Sequence, residues 1–273
     1  MQTDIDLFYE TTMGMNTRLE VVMWGQSELK QQVCFNQICA ALEYWERLLS
    51  RFDPTAEIYH FNSLVENEPM QLGDDLLNSF IQVIEYRQKT KGLFDVFYLS
   101  KNSETRHEKD LVDVDPVLKT IVKKSPDVQV DFGGVGKGIL LARAIELLDQ
   151  NEIKNAFISF GGSSIHCRGI HPKGGAWPFD FQVEQGIDTT LELYNTNLSV
   201  SGLYHGKGHI FESGEDIPKQ SGKSVTIQSQ NPIEAEVLST ALFIASEQQR
   251  HDILKNFEIE KVLIGSEQLV LNE

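Results

Sequence analysis

The strongest constraint on how this chain can fold is the run Asp131 to Gly138, DFGGVGKG. Before it, Val128, Val130 and Phe132 alternate with polar residues, as in a half-buried strand. After it, Ile139 to Gln150 (ILLARAIELLDQ) has the apolar spacing of an amphipathic helix. Four glycines and a lysine within residues 133–138 let the backbone approach a ligand closely and take positive φ. A helix start adds free N–H groups and the positive end of the helix dipole, and Lys137 adds a cation. The run therefore reads as a strand-to-helix turn suited to phosphate, with a tight turn holding no ligand as the plain alternative. Lys137 is followed by Gly138 rather than Ser or Thr, so this is no Walker A loop, and the glycines lack Rossmann spacing.

The flanking sequence predicts an α+β fold with largely antiparallel sheet and packed helices, and 273 residues suffice for one large domain or two small ones. A first strand is expected at Leu19 to Trp24, then a helix over Ser27 to Ser50 with Val33, Ile38, Ala41, Leu42, Trp45, Leu48 and Leu49 inward. A second helix is expected over Asp74 to Lys91, with Leu77, Phe80, Ile81 and Ile84 on one face and Gly92 as its C-cap. Residues 100–127 are polar and read as a surface excursion with one short helix. Ala156 to Phe160 reads as a buried strand. Residues 179–183, 191–194, 197–202 and 223–228 follow as further strands. Asn231-Pro232 caps a helix over Ile233 to Ser246, and a short helix and a hairpin turning at Gly265-Ser266 close the chain.

The formal net charge of -16 argues against sequence-independent binding of nucleic acid and against docking on an anionic membrane. A local site for a small anion remains compatible with it. The three cysteines, Cys34, Cys39 and Cys167, have no CxxC spacing and read as free thiols. The first residues lack the charge and apolar run of a secretory signal, and no stretch reaches the ~20 apolar residues of a membrane span. A cytoplasmic location is the expectation for the chain as given, or export and lipid anchoring if a signal was trimmed.

Further groups could carry chemistry. Phe160-Gly161-Gly162-Ser163-Ser164 repeats the glycine-rich exit from a strand, as a ligand contact or a simple turn. Glu236, Ser239 and Thr240 lie on one side of a helix, and carboxylate plus hydroxyl oxygens suit a hard cation such as Mg2+. The plain alternative is a solvated Glu with back-bonding hydroxyls. Ser199 to His209 is a strand running into a glycine-rich loop with His205 and His209, and histidine is a natural base near neutral pH. His166-Cys167-Arg168 with His171 reads as structural.

Taken in order, these segments resemble the FAD:protein FMN transferases, the ApbE family, from about Met15 to the end of the chain. The resemblance is carried by Met15-Asn16-Thr17, by Phe52-Asp53-Pro54-Thr55-Ala56-Glu57-Ile58 with Asn62, and by Gly92-Leu93-Phe94-Asp95. It continues through Asp131 to Gly138, Ser159 to Ser163, Val200 to Tyr204, His209-Ile210-Phe211, and Ala235 to Leu242. It implies a T-fold-like architecture in a single domain over residues 1–273, and binding of FAD and Mg2+. It implies transfer of FMN to a Thr or Ser hydroxyl of a client flavoprotein with release of AMP; binding or hydrolysis of FAD without transfer is the alternative. Carried over, Met15, Phe52, Phe94, Asp95, Asp131 and Lys137 line the FAD site. The carbonyl of Gly134 and side chains of Glu236, Ser239 or Thr240 hold the metal, and His209 is the base. The chain departs from the family pattern at Glu236 and Ser163, where the family has Asp, and at 96–100 and 212–216.

Overall fold

The computed structural model describes residues 7–102, 105–182, 188–202, 223–265 and 267–269. Strands β1 (Leu7–Gly14) and β2 (Thr17–Trp24) form a hairpin that opens the chain. Met15 and Asn16 take positive φ in its turn. Helix α1 (Glu28–Leu49) follows, capped by Ser27. Next come α2 (Glu57–Ser63), β3 (Pro69–Gln71) and α3 (Asp74–Lys89). The stretch read as a surface excursion holds more than one short helix. It contains α4 (Glu108–Leu111) and a hairpin of β4 (Val112–Asp115) and β5 (Thr120–Lys123), which joins β3 in a three-stranded sheet.

Helix α5 (Gly136–Gln150) leads to β6 (Asn155–Phe160), β7 (Ser164–Arg168), β8 (Trp177–Gln182), β9 (Asp188–Leu193) and β10 (Thr196–Ser201). Then come β11 (Val225–Ser229), α6 (Pro232–Ile244), α7 (Glu247–Leu254), β12 (Lys261–Ile264) and β13 (Glu267–Gln268). The main sheet runs β1-β2-β6-β7-β10-β11-β12-β13, and every described ladder is antiparallel. The α+β architecture expected from sequence is the one observed. No helix among the described residues is long and apolar enough to cross a membrane.

Alternation along the strands sorts the sheet into two faces. Leu19, Val21, Met23, Ile158 and Phe160 pack with α1 and α5 in the main core. On the opposite face, Ile165, Cys167 and Leu198 pack under the β8–β9 hairpin with Trp177 and Leu193. Two inward assignments on the helices change. On α1, Val33 is exposed and Cys34 and Phe35 are buried in its place; on α3, Ile81 is exposed and Leu76, Phe80 and Val83 face the core.

The expected strand over 127–132 joins no ladder: Asp127 closes a turn, and 128–132 carry no regular structure. A side chain takes the part of the partner strand. The Asn62 amide accepts from Val130 N–H (2.8 Å) and donates to Val130 C=O (2.9 Å). Ser100 Oγ bonds both N–H and C=O of Gln129, and Asp131 N–H donates to Val96 C=O. Backbone groups that burial would otherwise leave unsatisfied are thus paired, and the segment is aimed into the turn ahead of α5. The buried Lys123 amine, which desolvation lowers below the ordinary lysine range, donates to the carbonyls of Asn62 and Leu64 and fixes the end of α2.

Candidate functional site

The turn begins where the Asp131 carboxylate folds back on its own chain. Its Oδ1 accepts the N–H of Gly133 at 2.7 Å, and its Oδ2 lies 2.8 Å from Arg51 Nε and accepts the Tyr98 hydroxyl at 3.0 Å. Burial, helped by the adjacent Asp131 charge, pushes the Tyr98 phenol up to about 12, so it remains a protonated donor. Arg51 also lies over the Phe52 ring, 4.1 Å from its centroid, and Phe52 itself is exposed. Val135 and Gly136 donate to the Phe132 carbonyl, which tightens the entry to α5. Lys137 and Gly138 stand in the first turn of α5, and their N–H groups donate to no acceptor among the described residues.

Met15 and Phe94 close on this turn. A β-carbon on Gly136 would lie 3.7 Å from the Met15 sulfur, and one on Gly134 would lie 3.5 Å from the Phe94 ring. The Met15 N–H is held by Glu46 at 2.5 Å. Asp95 is buried beside them. Its carboxylate is 3.0 Å from Arg87 Nε and accepts the Phe97 N–H, so it secures the 94–98 segment.

Helix α6 supplies the other half of the site. At Gly138 a β-carbon would fall 2.8 Å from the Pro232 carbonyl and 2.9 Å from Glu236 Cγ, so only glycine lets α5 and α6 approach this closely. Glu236 is buried, and its Oε1 accepts Ser199 Oγ at 2.7 Å. Ser239 Oγ lies 2.9 Å from Ser199 Oγ, accepts Ser201 Oγ at 2.9 Å and reaches the Glu236 carbonyl at 3.1 Å. Lys137 Nζ bridges the two halves, donating to Ser163 Oγ at 2.9 Å and standing 3.7 Å from Glu236 Oε2. Thr240 is half-buried, one position beyond Ser239.

Met15, Phe52, Phe94, Asp131, Gly134, Lys137, Glu236 and Ser239 are thus brought around one turn, with Asp95 directed to Arg87. His209 lies outside the described residues, as do Tyr204 and His205. Sequence reasoning missed Arg51, Tyr98 and the pairing of Ser199 with Glu236 and of Ser201 with Ser239. The polar positions Asn197, Ser199 and Ser201, alternating with Leu198 and Val200, were the available signal, because a buried polar strand face must find partners. His166 is buried with Nδ1 2.9 Å from Asn197 Oδ1, and desolvation lowers it to about 4.

No group of three or more His, Cys, Asp or Glu among the described residues could hold a metal ion. A cation here would instead rest on one buried carboxylate and neighbouring hydroxyl oxygens. That donor set fits a hard ion such as Mg2+ and not a soft one. A groove of ≈ 670 Å³ between α1, α3 and α5, lined by Tyr44, Trp45 and Arg143, contains none of these residues.

A helix start with free N–H groups is set against a buried carboxylate and hydroxyl cluster. The family the chain belongs to follows from comparison with known proteins. The sequence model of the ApbE family matches residues 13–263, and the chain belongs to that family. It is similar to the FAD:protein FMN transferase of Haemophilus influenzae, 22% identical over 93% of this chain and 84% of that protein. Its fold matches the flavin transferase ApbE of Vibrio cholerae with a TM-score of 0.83 at 18% identity, covering 95% of this chain and 93% of that one. It also matches apo flavinyl transferase ApbE of Pseudomonas stutzeri with a TM-score of 0.78 at 18% identity, over 94% and 90%.

Proposed function

We propose that this chain binds FAD with the diphosphate at the start of α5 and transfers FMN to a Thr or Ser hydroxyl of a client flavoprotein, releasing AMP. The observation that carries this reading is the meeting of two opposite charges at one turn. Lys137 and the N–H groups of the first turn of α5 favour the diphosphate, and Glu236, 3.7 Å from Lys137, favours a divalent cation. The names borne by the similar proteins support the same chemistry. Glu236, with Ser239 and the Gly134 carbonyl, would hold Mg2+, which when bound neutralises charge on the diphosphate.

The chain's own residues have separable tasks. Phe52 offers an exposed aromatic face at the rim, and Phe94 and Met15 wall the turn. Asp131, held by Arg51, Tyr98 and the Gly133 N–H, sets the shape of the turn. Lys137 supplies positive charge where negative charge develops as the P–O bond to AMP breaks. The acceptor oxygen bonds to the FMN phosphorus and loses its proton, a role assigned to His209 on the family resemblance.

The test combines FAD with a peptide carrying the acceptor pattern Asp-Gly-x-Ser/Thr-Gly-Ala-Thr, with Mg2+ or chelator. Mass spectrometry follows the peptide and chromatography the flavin. The expected result is Mg2+-dependent addition of FMN with AMP released, abolished by Glu236→Ala. Free FMN and AMP with unmodified peptide would make the chain a pyrophosphatase, and intact FAD would overturn catalysis on this acceptor.

A further inference from the structure

Lys137 and Glu236 are more than two neighbours in one site. The Lys137 ammonium is held between two oxygens from different elements, Ser163 Oγ at 2.9 Å and Glu236 Oε2 at 3.7 Å. The Glu236 side chain is 6% exposed, so water does little to screen its charge. Its other oxygen accepts the Ser199 hydroxyl, while Ser201 donates to Ser239 and Ser239 to the Glu236 backbone carbonyl, so one hydroxyl proton points at the carboxylate and the others order the residues behind it. The close approach of α5 and α6 at Gly138 fixes the spacing between ammonium and carboxylate. The site therefore contains a built-in ion pair at the place where the proposed reading puts a divalent cation. A divalent ion beside Glu236 would face the ammonium at a few ångströms in poorly hydrated surroundings, where like charges repel strongly.

We infer that Lys137 is the built-in counter-ion of Glu236 and must leave it when a divalent cation binds, turning to the FAD diphosphate. Resting on the proposed function, this makes Lys137 a competitor for the metal and couples metal binding to FAD binding. Ser199 is a positioning residue for the carboxylate, and Ser163 holds the ammonium. No covalent step is involved.

The competition is read by Mn2+ titration, following the spectrum of free Mn2+ by electron paramagnetic resonance. Melting curves verify that each variant is folded. Lys137→Met is expected to bind Mn2+ at least about threefold more tightly than the unaltered chain, the scale of a lost partly buried ion pair. Lys137→Gln should behave the same way, and Lys137→Arg should restore the original affinity. Arg143→Met, which removes a cation further along the same helix, should leave it unchanged. Ser199→Ala should weaken Mn2+ binding, with affinity recovered in Ser199→Thr. If both neutral Lys137 variants bind Mn2+ no more tightly, or Arg143→Met tightens binding equally, the competition is overturned. If the unaltered chain takes up no Mn2+ at millimolar concentration, the cation reading itself falls and this inference with it.

Discussion

Two parts of one sheet face the same layer of helices with opposite chemistry. On β2 and β6, the helix-facing positions are Leu19, Val21, Met23, Ile158 and Phe160, all fully buried. On β7 and β10, they are Ser164, His166, Asn197, Ser199 and Ser201, none more than 7% exposed. Burial is alike, so the difference is not one of solvent. Buried apolar area stabilises, whereas a buried polar group is costly unless it finds a hydrogen bond. The polar half reduces that cost by bonding across elements: Asn197 to His166, Ser229 and Gln230, and Ser199 to Glu236. The half that contributes less to stability is the half on which the candidate chemistry sits. The site lies where the core face of the sheet turns from hydrocarbon to hydroxyl.

The sharpest way to break this division is to truncate the apolar half. Phe160→Ala should destabilise the chain by about 3–5 kcal/mol, the usual cost of emptying a fully buried phenylalanine site. Urea unfolding measures it. A loss of similar size on removing a single hydroxyl from the polar half would show that the two halves contribute alike.

Of the two halves, the polar one holds the buried titratable ring on which acid acts. His166 is buried as a neutral ring, lowered to about 4 by desolvation from an ordinary value near 6.5. Above about pH 6.5 the ring is neutral in both folded and unfolded chains, and this contribution to stability is complete. Between about 6.5 and 4 the unfolded chain takes a proton that the folded chain refuses. Stability falls with falling pH, by roughly 3 kcal/mol at the bottom of that window. Urea midpoints across this range should therefore slope less in His166→Gln than in the unaltered chain, and equal slopes would remove His166 from the account.

Asn62 tests how the halves meet at the turn. Asn62→Ala leaves the N–H and C=O of the buried Val130 without the amide that now pairs both. The expected loss is about 2–3 kcal/mol, read in the same unfolding experiment. An Asn62→Asp variant keeps the acceptor and loses the donor, so it should fall between the two.

Asn62 also shows what was legible in the sequence and what was not. Helical periodicity around α1, α3 and α5 was readable because each buries a stripe, and α6, buried on nearly every side, was readable from its Asn231-Pro232 start. The glycine turn was readable because its chemistry is local. The run at 128–132 read as a strand because Val128, Val130 and Phe132 do alternate, but its partner is a side chain 68 residues away from Val130. β1 escaped because it is an edge strand with Leu7, Tyr9 and Met13 exposed, which blurs its alternation. The hairpin of β4 and β5 escaped because its strands are short and carry charge. Within the site, Lys137 and Glu236 stand in local patterns. Ser199 joins them only through the register between β10 and α6, which no local pattern contains. Arg51 and Tyr98 meet Asp131 in the same non-local way.

The smallest expected effect is the finest test of the comparison. Ser164 sits opposite Ser199 in the β7–β10 ladder and is fully buried, yet its Oγ has no hydrogen-bond partner among the described residues. His166 Nε2, two residues along the same face, is in the same condition. Removing a buried hydroxyl without a partner removes its desolvation cost and loses no bond. Ser164→Ala should therefore lie within about 0.5 kcal/mol of the unaltered chain, or be slightly more stable. Ser199→Ala should cost more, because it strips a donor from the Glu236 carboxylate. A loss above about 1 kcal/mol in Ser164→Ala would mean that its hydroxyl is bonded after all, most simply to a buried water shared with His166. The polar half would then be one connected network from His166 to Glu236, and the boundary with the apolar half would fall between β6 and β7 along their whole length.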